Sequence, residues 1–329
     1  MMSATLVISC CDGERRMPCY VAGTVPDGRF ELVFTTAMSA YVESCTDPSY
    51  RAQALAFSHP VVGAHGLPYH AEQSQNVQPA IVIAAAPTSG FTSWIARRGG
   101  CVVTCHDTRT VVALARDGAT AWIDGHGGDL IRPHLVDTAT VASYAECTIV
   151  DLGCKSAIAA GMLRRGVSVA IVTAADLRAA IAAGTHGIIL SNGPGDPRHD
   201  VHGARVAAEA IASGIPTLGI CYGHQLLAIA DGLHVERLRC GHRGTNHPIA
   251  NVRTGNVTIT SHNHGFTVAE PGASAALVTY RSALDGTVEG IERDSFSGVQ
   301  FHPEGSPGPR LDEVMDSFAA AITGARRCT

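Results

Sequence analysis

The sequence predicts an α/β protein with a mixed β/α N-terminal part and a C-terminal domain built on a mostly parallel sheet flanked by helices. Three observations carry this. The chain has 329 residues, enough for two domains with cores of their own. Its texture changes near residue 146, from short strands and turns to apolar strands alternating with helical segments. Several of those later strands end in glycine-rich turns, as doubly wound sheets do.

Hydrophobic residues make up 46% and charged residues 16% of the chain, which indicates a globular protein rather than a disordered one. The net charge of -5 and the lack of a basic block speak against a nucleic-acid partner. Lys155 is the only lysine. The N-terminus, MMSATLVISCCDGERR, lacks a basic start and its apolar run is too short for a signal peptide. AIVIAAAP at 80–87 is far below a membrane span. A cytoplasmic protein without membrane association is therefore expected, with its 11 cysteines mostly reduced. There is no CxxC pair. Cys101 and Cys105 form CxxxC with no second ligand pair nearby, and read as strand-end and core thiols.

From the N-terminus, ATLVISCCDGE, MPCYVAGTVPDG and FELVFTTAMSAYVE read as short strands, with turns at the Asp-Gly pairs 12–13 and 27–28. PAIVIAA and GCVVTCHDTR read as two buried strands separated by a helix near 90–98. Residues 118–145 show little periodicity and read as the end of the first domain and a linker, with the domain boundary at 138/139. Beyond it, CTIVDLG is a strand, KSAIAAGMLRRG a helix, VSVAIV a strand, and AADLRAAIAAG a helix. HGIILSNGPGDP is a strand running into a turn, DVHGARVAAEAIASG a helix, and IPTLGI a strand ending at Cys221. Active sites in such sheets lie at strand carboxyl ends, where SNGPGDP and GICYG both fall.

Gly219-Ile-Cys221-Tyr-Gly223 has the form G-x-C-x-G, the cysteine counterpart of a strand-to-helix turn that exposes a nucleophile. It places Cys221 at the start of the helix GHQLLAIADG, where free N–H groups favour a thiolate. On this motif alone, a buried structural thiol remains an open reading. The segment SGVQFHPEGSPGP adds His302 and Glu304, two apart on an extended stretch and so on one side of it. Glu304 can hold the imidazole of His302 in the tautomer that takes a proton from Cys221. Oxyanion donors are expected from Gly193 or Gly195 and from the N–H of Tyr222. The GPGDP turn lacks the Gly-Lys-Ser/Thr of a P-loop.

GICYGHQLL, SNGPGDP, SHNHGF and GVQFHPEGSPGP together resemble a class I glutamine amidotransferase of the triad type. GHRGTNHP at 241–248, SHNHGFTV at 261–268, FTTAMSAYVESCTDPSY at 34–50 and HDTR at 106–109 narrow the resemblance to the small subunit of carbamoyl phosphate synthetase. The resemblance implies a subunit that hydrolyses L-glutamine to glutamate and ammonia. The ammonia would pass to a large subunit that makes carbamoyl phosphate from bicarbonate and ATP. Cys221 would be the nucleophile, His302 the base and Glu304 its orienter. Ser49, Gly193, Gly195, Tyr222, Gln225, Asn263, Gly265 and Phe266 match glutamine-binding positions, Tyr222 standing where the family usually has Leu. Ala40 and Ala64 also depart from the family pattern, in the part where the family meets its large subunit. No cofactor or metal is expected in this chain, with ATP and Mg on the large subunit. His242, His247, His262 and His264 lie inside family motifs and are expected to pack or hydrogen-bond. Other readings remain: a paralogous subunit serving a specialised synthetase, an independent cysteine hydrolase, or a non-catalytic scaffold.

Overall fold

In the computed structural model, residues 1–68, 71–131, 145–272, 276–294 and 296–326 are described. The chain divides into two compact units, Met1–His134 with Arg239–Gly244, and Leu135–Leu238 with Thr245–Thr329. The expected boundary at 138/139 lies outside the described residues. No helix among these residues is long and apolar enough to cross a membrane.

The first unit opens with β1 (Met2–Cys10) and β2 (Gly13–Gly23), a hairpin closed at the first Asp-Gly pair, where Gly13 takes φ 111°. β3 (Arg29–Thr35) follows the second Asp-Gly pair. The expected strand does not continue: Tyr41–Thr46 is a short helix, α1, entered through Ala40 at φ 63°. Burial of Tyr41, Val42 and Cys45 decides this over their β propensity. Then come β4 (Gln53–Phe57), β5 (Val61–Val62), β6 (Ile81–Ala84), β7 (Ala86–Pro87), α2 (Ser89–Arg97), β8 (Cys101–Thr104) and α3 (Thr108–Arg116). Thr88 and Asp107 cap α2 and α3 by accepting from the N–H groups of Phe91 and Thr110.

β9 (Thr120–Ile123) and β10 (Leu130–Ile131) fall in the stretch read as the end of the first domain and a linker. The early part of that stretch belongs to the first unit, and it holds a strand the sequence did not show: β9 pairs with both β1 and β3. Its four residues are too few to show a period on their own. The pairing closes β3-β4-β6-β8-β2-β1-β9 into a ring. Leu6, Leu32, Ala54, Ile81, Val103 and Ala121 fill one core. Alternate residues Val33, Leu55, Val82 and Val102 face the other way, against Phe91, Trp94 and Ile95 of α2. Cys101 and Cys105 are buried core thiols as expected, and burial first, then Cys19, pushes the Cys101 thiol up to about 12. All ten described cysteines are free.

The second unit alternates as its sequence predicts. β11 (Cys147–Val150), α4 (Ser156–Leu163), β12 (Val169–Val172), α5 (Leu177–Ala182), β13 (Gly187–Leu190), α6 (Val201–Ala212), β14 (Thr217–Ile220) and α7 (Tyr222–Ala230) follow in order. β15 (Val235–Asn251, whose residues Arg239–Gly244 group with the first unit), β16 (Val257–Val268), β17 (Leu277–Ser282), β18 (Val288–Arg293), β19 (Phe296–Val299) and α8 (Asp312–Arg326) complete it. The sheet runs β12-β11-β13-β14-β19-β18-β16-β15-β17. The first five strands are parallel, and β18 runs antiparallel to β19, β17 and β16.

Both faces of the parallel half are covered. Ile188 and Leu190 of β13 pack with Val206, Ala207 and Leu226 of α6 and α7, and Ile189 between them packs with Ile158, Met162, Met315 and Ile322 of α4 and α8. Each buried Val, Leu, Ile or Met among them contributes roughly 1.5–3 kcal/mol. This doubly covered sheet explains why the strand reads as a continuous apolar run.

Candidate active site

β13, β14 and β19 are adjacent and parallel, so their carboxyl ends form one edge. The loop with Gly193 and Gly195 leaves the first, Cys221 the second, and the segment with His302 and Glu304 the third. Three motifs far apart in sequence thus meet through sheet order.

Cys221 joins β14 to α7 at φ 54°, ψ −99°, an uncommon conformation for a non-glycine residue. It is buried, and its N–H donates to the Val299 carbonyl at 2.8 Å. The flanking glycines are steric requirements. A Cβ on Gly219 would lie 2.7 Å from the backbone of Gly223 and His224, and one on Gly223 would lie 2.1 Å from the Leu190 carbonyl oxygen.

The thiol sulfur lies 3.7 Å from the Asn263 carbonyl, to which it donates, and 3.6 Å from Gln300 Nε2, from which it accepts. Gln300 also accepts from Gln225 Nε2 at 2.9 Å, and that amide donates to the Phe266 carbonyl at 3.1 Å. Gln225 and Asn263 are therefore gathered at the thiol, though Gln225 is engaged by protein groups. Gly265 and Phe266 continue β16. The Phe266 ring carries the Arg198 guanidinium 5.1 Å above it. The Tyr222 hydroxyl donates to Asp200 at 3.0 Å, and Asp200 caps α6 through the Gly203 N–H. Gly193 is buried and Gly195 takes φ 111°. Ser49 lies in the first unit, buried in the turn Pro48–Tyr50, where its N–H donates to Asp47.

His302 Nδ1 and Glu304 Oε1 are 2.7 Å apart, as the two-residue spacing predicts. The His302 N–H donates to the Ser261 carbonyl, and Nε2 makes no hydrogen bond. Sequence reasoning missed two residues here, Gln300 and Lys155. Lys155 Nζ is 3.4 Å from Glu304 Oε1, with side-chain exposures of 1% and 0%. Burial works to raise the Glu304 carboxyl. Its partners His302, first, and Lys155 overcome it and hold the group at about 2. The one signal for Lys155 was its being the sole lysine, at a strand carboxyl end.

Residues 148–322 match the class I glutamine amidotransferase family, and residues 12–122 match the carbamoyl-phosphate synthase small chain, CPSase domain. A Thermoplasma acidophilum protein assigned to GMP synthase shares the second fold at TM-score 0.50 and 19% identity, over 57% of this chain and 98% of that one. Fold and site thus define a protein with a class I glutamine amidotransferase domain.

The carbamoyl phosphate synthase small chain of Halobacterium salinarum is 34% identical over 90% of this chain and 92% of its own. The arginine-specific small chain of Bacillus subtilis is 33% identical at the same coverage, and the pyrimidine-specific one of Lactiplantibacillus plantarum 30% identical over 88% of each chain. The chain belongs to the carbamoyl phosphate synthase small-chain family.

Proposed function

We propose that this chain is the glutaminase subunit of a carbamoyl phosphate synthetase and that Cys221, His302 and Glu304 form its triad. The observation that supports this best is the meeting of Cys221, the Gly193–Gly195 loop and the His302–Glu304 pair at one sheet edge. His302 Nε2 withdraws the thiol proton as sulfur attacks the side-chain amide carbon of glutamine. Backbone N–H groups at the start of α7 and in the glycine loop receive the oxyanion. Imidazolium then protonates the departing ammonia, leaving a glutamyl thioester. Water, deprotonated by the same histidine, attacks the thioester, and glutamate leaves as the thiol re-forms. Glu304 stays ionised throughout and keeps Nδ1 protonated, with the Lys155 ammonium facing the same carboxylate oxygen.

Gln300 supplies a donor to the sulfur, and the Asn263 carbonyl accepts from the thiol. The ammonia would pass to a large subunit that consumes ATP and bicarbonate with Mg. The relatives' arginine- and pyrimidine-specific names support a synthetase of that class. The test is glutamate release from glutamine by wild type and Cys221→Ser, with and without a candidate large subunit. Release that depends on Cys221 and rises with the partner is expected. A folded wild-type chain that releases none with its partner present refutes the assignment.

A further inference from the structure

Gln300 is fully buried where β19 ends, two residues before His302. Side chains alternate along this stretch. Val299 and Phe301 pack with Ile249 and Leu311 in an apolar cluster, so Gln300 and His302 leave the chain on the other side. The backbone is held without them. The Val299 carbonyl accepts from the Cys221 N–H, and the Gln300 N–H donates to the Glu289 carbonyl. Burying a carboxamide costs free energy unless both its ends are bonded. An apolar side chain would fill the same space without that cost, so the two ends of the carboxamide are what this position supplies.

The direction of every bond in the network is set at one end. The Phe266 carbonyl can only accept, so the atom of Gln225 that lies 3.1 Å from it is Nε2. The same Nε2 is 2.9 Å from the Gln300 carboxamide and meets its oxygen there. That leaves Gln300 Nε2 as the atom facing the Cys221 sulfur, at 3.6 Å. Turning Gln225 over would set its oxygen against the Phe266 carbonyl, and turning Gln300 over would set two NH2 groups against each other. Both hydrogens of Gln225 Nε2 are directed at protein acceptors, so what Gln225 offers a ligand is its oxygen.

We propose that Gln300 ties glutamine recognition to the nucleophile. Its Nε2 is a catalytic donor to the sulfur, and that bond strengthens as negative charge develops on Sγ. Its Oε1 is a positioning acceptor that keeps the Gln225 oxygen turned to the substrate. One carboxamide thus orients the attacking atom and a glutamine-binding side chain together. This coupling rests on the proposed reaction for the part played by Gln225, whereas the contact with sulfur does not.

Two substitutions of similar size separate the two ends. Gln300→Met removes both. Gln300→Glu keeps the acceptor for Gln225 and, once ionised, has no donor for the sulfur. The first readout needs no glutamine: iodoacetamide alkylation of Cys221 in the full chain, timed by mass spectrometry of that peptide. At about pH 8 its rate should fall about 10–100-fold in both variants, the size of a hydrogen bond to a charged group. The second readout is glutamine hydrolysis. Gln300→Met should raise KM about 5–10-fold and lower kcat, whereas Gln300→Glu should lower kcat with KM close to wild type. Combined with Gln225→Met, Gln300→Met should raise KM no further, because the oxygen it positions is already gone. A merely structural role would lower Tm and leave alkylation and KM of the folded variants at wild-type values. Wild-type alkylation rates in both folded variants therefore overturn the inference, as does a wild-type KM in Gln300→Met. Gln300→Leu takes the place of Gln300→Met should the latter not fold by circular dichroism. A wild type that is alkylated at Cys221 yet releases no glutamate refutes the glutaminase reading instead, and the alkylation contrast still decides the sulfur contact.

Discussion

Lys155→Met removes the ammonium that faces Glu304 at 3.4 Å in a site where both side chains are shut off from water. At that distance, with an effective dielectric constant of about 20, the pair attraction is about 5 kcal/mol. His302 also faces the carboxylate, so part of the lost interaction is replaced. Removing one partner of a buried pair costs about 3–5 kcal/mol, and the lower figure is expected here. Glu304 is held at about 2 in the folded chain, by His302 first and by Lys155 after it, so the ammonium supplies only part of that depression.

Because the folded value is the lower one, this stabilisation is complete above the unfolded value and is lost as pH falls toward 2. In Lys155→Met the carboxyl titrates at higher pH than in wild type, and once protonated it no longer needs the ammonium. The penalty should therefore be about 3 kcal/mol near neutral pH and shrink in acid. Urea unfolding of wild type and variant at about pH 7 and about pH 4 measures it. Lys155→Met/Glu304→Gln should recover more than half of the loss. A penalty below about 1 kcal/mol, the same at both pH values and unchanged in the double variant, would refute the reasoning.

Three further outcomes are expected. Gly223→Ala places a Cβ 2.1 Å from the Leu190 carbonyl oxygen and should cost about 3 kcal/mol or more in urea unfolding. A near-neutral result would mean that the elbow relaxes freely. His224 is fully buried with no hydrogen bond to either ring nitrogen, and burial lowers it to about 3. His224→Leu should therefore stabilise the chain by about 1–2 kcal/mol at neutral pH. Below about pH 6.5 the unfolded wild type takes up a proton that the folded one does not, so wild type loses about 1.4 kcal/mol per pH unit that the variant keeps. Parallel stability–pH curves would count against this. Tyr222→Phe removes the hydroxyl that donates to Asp200 at 3.0 Å, and should cost about 1 kcal/mol in thermal unfolding while leaving the Asp200 cap of α6 in place.

The alternation of β11 to α7 is legible in the residues alone, because each element carries its period and its glycine stop within its own stretch. So are the elbow at Cys221 and the His302–Glu304 pair, since both depend on neighbours within two positions. The strand β9 and the helix α1 escaped that reading. β9 is four residues long and exists through pairing with β1 and β3, while α1 overrides the β propensity of Tyr41 and Val42 by burying them. Lys155 and Gln300 escaped for a related reason. Lysine and glutamine are mostly solvated, and only the placing of β11 and β19 in one parallel sheet makes them neighbours of Glu304 and Cys221. Local chemistry is written in short spacings, whereas what a buried charge or lone pair meets depends on strand order, which only the packed sheet decides.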